Sequence, residues 1–204
     1  MNTRTAMGIW GLLLPLAALG VEPTLSVLPT DKLEQEYAVD GIMTAAYRLD
    51  SGDQSYTLIL SRTGSYAAGD GDERSARLYA TLFANTADGH QQRWRIQDRV
   101  DACPVDVTAE FTGKPAVVSD ADADGVPEFW VSYRITCRGD VSPSTLKLIG
   151  YEGSQKYALR GSSRLMLGDS SEGGEYQTDA ALKSAPLLLE SARKLWMEVR
   201  DEGF

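Results

Sequence analysis

The sequence predicts a mainly β fold, an antiparallel β-meander that ends in a C-terminal α-helix. Short runs in which apolar and polar residues alternate recur between residues 45 and 168, separated by polar turns. This alternation is typical of strands that bury one face. The best helical spacing of apolar residues lies near the end of the chain, at 185–200, with Ser184 as the candidate N-cap.

Four segments follow from this pattern. They are a signal peptide at 1–20, a linker or short helix at 21–44, a β domain at 45–168, and a flexible loop with the C-terminal helix at 169–204. Within the β domain we expect about eight strands, and three hairpins stand out because a polar, glycine-containing connection joins their strands. The hairpins are 45–49 with 56–61, 77–85 with 92–100, and 145–152 with 155–162.

The first twenty residues have the composition of a secretory signal peptide. Arg4 precedes an apolar run at 6–19, and the small residues Ala18 and Gly20 fit positions −3 and −1 of a cleavage site. The run is short for a membrane span, so we expect export to the periplasm or the exterior with no stable membrane insertion after cleavage. An uncleaved anchor is the alternative.

The chain is strongly acidic. Its formal net charge is −9, from 20 basic and 29 acidic residues. Loss of the predicted signal peptide removes one arginine and brings the charge to −10. Such a chain repels nucleic acid and anionic membrane surfaces over most of its surface, so we predict neither as a partner.

An acidic run at 120–128, in which aspartates alternate with alanines, predicts a calcium site. Ca²⁺ takes six to eight oxygen ligands, and carboxylates at alternate positions converge on one point if the chain curls around it. Gly125 permits that curl. The predicted ligands are Asp120, Asp122, Asp124, the backbone carbonyl of Val126, and Glu128. A solvated acidic turn without metal is the alternative.

The acidic run lies between two strand-like runs, at 116–119 and 129–136. An EF-hand would require helices there and a glutamate at position 12, where this chain has Val131. The arrangement of strand, acid loop and strand instead resembles the calcium loops of FG-GAP and VCBS repeats. This resemblance implies a meander similar to propeller blades. The chain is too short for a complete propeller.

The two cysteines, Cys103 and Cys137, lie on either side of the acidic run. In an exported protein they most simply form one disulfide. We expect the bridge to hold the strands around the loop in register and thereby to support calcium binding. A reactive thiol would need a base or an electropositive setting, and the sequence shows neither beside Cys103.

Three further runs, taken with the acid loop, resemble a family of exported bacterial proteins known as surface polysaccharide biosynthesis proteins. The runs are DACP at 101–104, CRGDVSP at 137–143 and KYALRG at 156–161. The resemblance covers about residues 45–165. It implies an envelope protein linked to surface polysaccharide, and it carries over no catalytic residue.

The sequence therefore favours a non-enzymatic, exported calcium-binding protein that binds or helps assemble surface polysaccharide. Exposed arginines at 93, 95 and 99 offer one possible contact for an acidic glycan, although a solvated strand face explains them as well. One alternative is a polysaccharide hydrolase or lyase that uses paired carboxylates such as Glu110 and Glu152. Another is a purely structural module.

Overall fold

The computed structural model describes residues 23–69 and 71–203, and in it two antiparallel sheets pack face to face. The predicted signal peptide at 1–20 lies outside the described residues. Within the described ranges, no helix has both the length and the apolar character needed to span a bilayer.

The first sheet is a five-stranded meander in which every strand pairs with its neighbours in the chain. Its strands are β1 (Ser26–Leu28), β2 (Ile42–Ser51), β3 (Gln54–Ala67), β4 (Arg74–Thr86) and β5 (Gly89–Cys103). The two predicted hairpins are present, with longer strands and tighter turns than expected. Polar residues such as Gln54 and Ser55 extend the strands because ladder hydrogen bonds use only the backbone.

The second sheet also has five strands, in the order β12, β9, β8, β7, β6. They are β6 (Asp106–Ser119), β7 (Glu128–Arg138), β8 (Thr145–Glu152), β9 (Gln155–Ser162) and β12 (Tyr176–Thr178). The bounds of β8 and β9 equal those of the predicted hairpin. The first sheet and strands β6 to β9 of the second are thus meanders as expected, and β12 joins the second sheet at its edge beside β9. The sandwich formed by stacking the two sheets was not predicted.

The segment expected to be a flexible loop is ordered. A small third sheet contains β10 (Arg164–Leu167), β11 (Ser170–Gly173) and β13 (Asp201–Glu202), with β10 in the centre. Arg164 forms an ion pair with Asp201, and the half-buried Glu202 accepts hydrogen bonds from Ser144 and Ser163. These contacts attach the end of the described chain to the second sheet.

The main core lies between the two large sheets. In β7, Phe129, Val131 and Tyr133 point inward, which confirms the predicted period of two. They meet inward residues of the first sheet: Leu58, Leu60, Leu78, Leu82, Trp94 and Ile96. The two large sheets therefore share one hydrophobic core.

Helix α2 (Pro186–Val199) covers the outer face of the second sheet. Its fully buried Trp196 donates a hydrogen bond from Nε1 to the carbonyl of Gly174, at 2.9 Å. The predicted cap was wrong: Ala185 occupies the N-cap position and makes no side-chain hydrogen bond. Ser184 instead ends the short helix α1 (Ala180–Lys183), a turn that the sequence pattern did not reveal.

The described part of the predicted linker at 21–44 packs on the outer face of the first sheet, and its last three residues begin β2. It contains β1 and a 3-10 turn at Leu33–Gln35, which brings Tyr37 onto that sheet. The Tyr37 ring packs edge-on against Phe83, and its hydroxyl donates to Thr57 at 3.0 Å. The outer faces of both large sheets are therefore partly covered, the first by this segment and the second by α2.

The predicted disulfide is present. Cys103, at the end of β5, is bonded to Cys137 in β7, with Cα atoms 5.6 Å apart. The bridge therefore joins the first sheet to the second. Glu128 begins β7 at the end of the strand that borders the acid loop. Cys137 lies nine residues further along β7, a distance of about 30 Å. The disulfide is therefore too far from the acid loop to support calcium binding in the way that the sequence suggested.

Replacing both cysteines, as Cys103→Ser with Cys137→Ser, should lower the free energy of unfolding by about 3–4 kcal/mol, because the unfolded chain loses a 34-residue constraint. Calcium affinity should stay unchanged because the loop lies at the far end of β7. Denaturant unfolding and calorimetric calcium titration of the oxidised parent and the double variant measure the two quantities. A large loss of calcium affinity in a folded double variant would contradict the prediction.

Candidate metal centre

The acid loop, residues 120–127, connects β6 to β7 at one end of the sandwich. The chain curls back on itself there: the Asp120 carboxylate accepts the N–H of Gly125 at 3.2 Å, and the Asp120 carbonyl accepts the N–H of Ala123 at 3.3 Å. Gly125 has φ +85°, a left-handed conformation that favours glycine. The turn expected at Gly125 is therefore formed.

The other two loop aspartates are oriented by neighbouring backbone amides. The N–H of Asp124 donates to Asp122 at 3.3 Å, and the N–H of Val126 donates to Asp124 at 2.7 Å. Such local bonds hold short acidic side chains over their own turn. Carboxylate oxygens of Asp120, Asp122 and Asp124 lie within 4.8 Å of one another.

Glu128 joins the start of the loop to its end. It is the first residue of β7, has 0% exposure, and its side chain is held from β6 and the loop. Ser119 donates from Oγ at 2.6 Å, and the N–H of Ala121 lies 3.1 Å from both carboxylate oxygens. Trp130 in turn donates from Nε1 to Ser119 at 3.2 Å. Glu128 is thus a buried carboxylate with a fixed position.

Glu152 completes the arrangement and was not among the predicted ligands. It is the last residue of β8 and the direct cross-strand partner of Glu128. Tyr157 donates to one of its carboxylate oxygens at 3.1 Å, and the other, which is buried, has no hydrogen-bond partner in the described part of the chain. Oxygens of Asp122, Glu128 and Glu152 lie within 4.8 Å of one another. The aligned ends of β7 and β8 are what bring Glu152 here.

The structure therefore contains two overlapping groups of three carboxylates that share Asp122. The first group comes from the loop and the second from the loop and two strand ends. Val126, the remaining predicted ligand, donates its N–H to Asp124, and its side chain is largely exposed. Coordination by its carbonyl stays a prediction.

We call these five carboxylates, from Asp120, Asp122, Asp124, Glu128 and Glu152, the acid centre. No ion pair neutralises any of them within residues 23–69 and 71–203. Charges of the same sign at such spacing repel one another, most strongly where water is excluded. The arrangement therefore favours a state that adds positive charge, either a proton or a cation.

Burial and repulsion act on the two glutamates. Loss of solvation raises the pKa of Glu128, hydrogen bonds from Ser119 and Ala121 act in the opposite direction, and the charges of Asp122 and Glu152 raise it further. Loss of solvation also raises the pKa of Glu152, together with the charges of the loop aspartates. Tyr157, which donates to Glu152, has its pKa raised to about 12, mainly by burial.

The donor set fits a calcium ion. All side-chain donors are carboxylate oxygens, which hard divalent cations prefer, and Ca²⁺ accepts irregular geometry and six to eight ligands. Transition metals usually recruit histidine or cysteine, and the acid centre contains neither. The residues therefore match the predicted cofactor in chemistry.

The alternative catalytic pair is not supported by the geometry. Glu110 in β6 is the direct partner of Arg134 in β7, whereas Glu152 is the partner of Glu128. Six residues of β7 separate those two positions, a distance of about 20 Å along the strand. Paired carboxylates in glycoside hydrolysis lie about 5–9.5 Å apart, so Glu110 and Glu152 cannot act as such a pair.

Comparison with known proteins found no matching family model, no matching curated protein and no matching solved structure. The resemblance to exported polysaccharide proteins and to FG-GAP calcium loops therefore stays a prediction.

Calcium affinity should fall as the pH is lowered through the raised pKa values of Glu128 and Glu152, because protons then compete with the cation. The free energy of unfolding of the calcium-free protein should instead increase as the pH is lowered. A folded-state pKa above the ordinary value of 4.5 means that the folded state binds more protons than the unfolded chain between the two values. Stability without calcium therefore rises as the pH drops through that window.

Calorimetric calcium titrations and thermal melts in chelator, from neutral pH down to about pH 4.5, test both signs. Glu152→Gln is the matched variant: it should weaken the pH dependence of calcium-free stability, because it removes one of the two groups. Calcium affinity that does not change across this range would contradict the prediction.

Proposed function

We propose that this chain is an exported, non-enzymatic calcium-binding protein of the bacterial envelope that binds surface polysaccharide. The observation that supports the calcium part is the presence of two groups of three carboxylates that share Asp122 and have no ion-pair partner among the described residues. The resemblance of the runs at 101–104, 137–143 and 156–161 to exported polysaccharide proteins supports the envelope and polysaccharide parts.

Calcium would offset the repulsion within the acid centre. Asp120, Asp122 and Asp124 would supply loop ligands, and Glu128 and Glu152 would add charge from the strand ends. Mg²⁺ is a poor substitute because it requires a compact octahedron and loses water reluctantly. Since the site closes the connection between β6 and β7, bound calcium would fix the loop to the sandwich.

A binding role suits the acid centre better than a catalytic one. Glu128 has 0% exposure and is held by three hydrogen-bond contacts, so a substrate has no access to its carboxylate. A general acid or a nucleophile must reach the reacting bond. The buried position instead suits a residue that anchors a cation or the loop around it.

Asp122→Asn tests the calcium site most directly, because Asp122 belongs to both groups of carboxylates. In the parent, calcium at 100 times its dissociation constant should raise the free energy of unfolding by about 2.7 kcal/mol. The variant should lose most of this gain. Without calcium it should be slightly more stable than the parent, because one repelling charge is gone. Thermal melts in chelator, calcium and magnesium measure these differences.

Asp88→Asn is the matched control, since Asp88 is exposed in the turn between β4 and β5, outside the acid centre. It changes the net charge equally and should keep the full calcium response. An equal calcium response in the Asp122 variant and the parent would show that the loop is an ordinary acidic turn.

The polysaccharide part is tested by binding of the parent to an array of bacterial glycans, with and without calcium. Binding to at least one glycan class is the expected result. If no glycan binds in either condition, the purely structural alternative replaces the proposal for that part.

A further inference from the structure

A compact group of cations lies on the inner face of the β8–β9 hairpin. Lys147 in β8 is the direct cross-strand partner of Arg160 in β9, and Lys156 lies four residues before Arg160 on the same face. Ile149 and Ala158, on that face between them, belong to the core between the sheets. We call Lys147, Lys156 and Arg160 the cationic surface.

The cationic surface has little compensating charge. Lys147 forms an ion pair with Asp98 at 2.5 Å, and Asp98 also accepts a hydrogen bond from Tyr133 at 3.0 Å. Lys156 and Arg160 are exposed, and within residues 23–69 and 71–203 neither forms an ion pair. Asp179 also acts on Lys156 through its charge, so the three cations outnumber the two acids that act on them.

Like charges directly opposite one another on a sheet are destabilising. Lys147 and Arg160 are such a pair. The pKa of Lys156 is lowered, first by partial loss of solvation around its largely exposed side chain and then by the charges of Arg160 and Lys147, while Asp98 and Asp179 act in the opposite direction. In a chain of net charge −9, this concentration of positive charge is a local exception that a bound anion would stabilise.

The arginines that the sequence indicated on β5 are less suited to this role. Arg95 is ion-paired with Asp40 and also lies over the ring of Tyr79, 4.5 Å from its centroid. Arg99 is ion-paired with Asp101. Arg93 is exposed and has no ion pair within residues 23–69 and 71–203, but it is a single such cation on its strand, whereas β9 carries two on one face.

The surroundings of the cationic surface select the class of anion. Tyr151 stacks on Trp94 with ring centroids 4.6 Å apart, and the Lys156 ammonium lies over the Tyr151 ring at 5.8 Å. One face of the Tyr151 ring is thus in contact with Trp94, and the Lys156 ammonium lies over the ring. Proteins that bind single-stranded nucleic acid stack bases on exposed aromatic rings, and Tyr151 is poorly placed for such stacking. The cationic surface would therefore recognise an anionic ligand mainly through charge.

We propose that the cationic surface binds an acidic polysaccharide, through ion pairs between Lys156 and Arg160 and carboxylates of its sugar units. The inference rests on the proposed function for the saccharide nature of the ligand, and it adds the chemical class and the place of binding. Arg160 can hold a carboxylate through two parallel hydrogen bonds, and Lys156 can neutralise a second one.

The test compares two double variants of the full chain with equal loss of charge. Lys156→Gln with Arg160→Gln removes the free cations of the cationic surface. Lys183→Gln with Arg193→Gln is the control, since these exposed cations lie on α1 and α2, which pack on the opposite face of the second sheet. Binding to polygalacturonate, dextran and a single-stranded DNA oligonucleotide is measured by calorimetry in chelator, which prevents calcium from bridging acid groups.

The parent and the control should bind polygalacturonate and should bind dextran weakly or not at all. The Lys156/Arg160 variant should bind polygalacturonate about tenfold more weakly or worse, since each lost contact is a charge-assisted hydrogen bond. Its dependence on salt concentration should also be smaller. Its melting temperature in the absence of ligand should equal or exceed that of the parent, because repulsion is relieved, so loss of binding cannot be ascribed to unfolding.

Equal polygalacturonate affinity in the two double variants would overturn the inference. It would also be overturned if the parent bound the DNA oligonucleotide more tightly than polygalacturonate. Binding of the parent to dextran or other neutral glycans but not to polygalacturonate would overturn it and leave the proposed function intact. If the parent binds no polysaccharide, the inference and the polysaccharide part of the proposed function both fall, while the calcium melts still decide the calcium part.

Discussion

The burial of one carboxylate, that of Glu128, is the constraint around which the end of the sandwich is built. A buried charge is costly unless it is hydrogen-bonded and neutralised. Ser119 and Ala121 supply the hydrogen bonds, and in doing so they fix the two ends of the acid loop to each other. Within the described ranges no ion pair neutralises Glu128, and the charges that act on it, those of Asp122 and Glu152, are also acidic. The hydrogen bonds thus fix the position of Glu128 beside the loop, and the unbalanced charge is the basis of the proposed cation binding.

The strand that carries Glu128 gives the acid centre a rigid base. β7 is paired on both sides, by β6 and β8, and both of its faces are buried. On the outer face Trp130 lies over Gly150, where a Cβ atom would approach the indole ring to 2.5 Å. That close approach lets the Trp130 indole lie flat against the sheet and reach Ser119. The position of Glu128 therefore depends on packing two residues along the strand, at Trp130 and Gly150.

Local features of this architecture could be predicted from the sequence, because they depend on residues close together in the chain. The period of two after the acid loop, the β8–β9 hairpin and the turn at Gly125 belong to this class. The pairing of the two cysteines was predictable because they are the chain's only two. The role of Ser184 was predicted wrongly, as the N-cap of α2. This serine ends the separate helix α1, of which the sequence pattern gave no indication.

Features that depend on the alignment of strands could not be predicted from the sequence. Glu152 lies 24 positions after Glu128, and only the register between β7 and β8 shows that they are partners. The stacking of the sheets, which places Tyr151 on Trp94, likewise joins residues far apart in the chain. The sequence therefore indicated four of the five carboxylates of the acid centre, Glu128 included, and missed only Glu152. For the same reason it pointed to arginines on β5 and not to the cations of β9.

The β8–β9 hairpin carries both charged features, and the pleat of the strands keeps them apart. Successive side chains of a strand point to opposite faces. Glu152 therefore lies on the outer face with Glu128 and Tyr157, whereas Lys156 and Arg160 lie on the inner face with Ala158. If these cations shared the outer face, they would neutralise Glu152 and weaken its attraction for a metal ion. A shift of β9 by one residue would produce that outcome, so the register of this hairpin keeps two groups of opposite charge on opposite faces of one sheet.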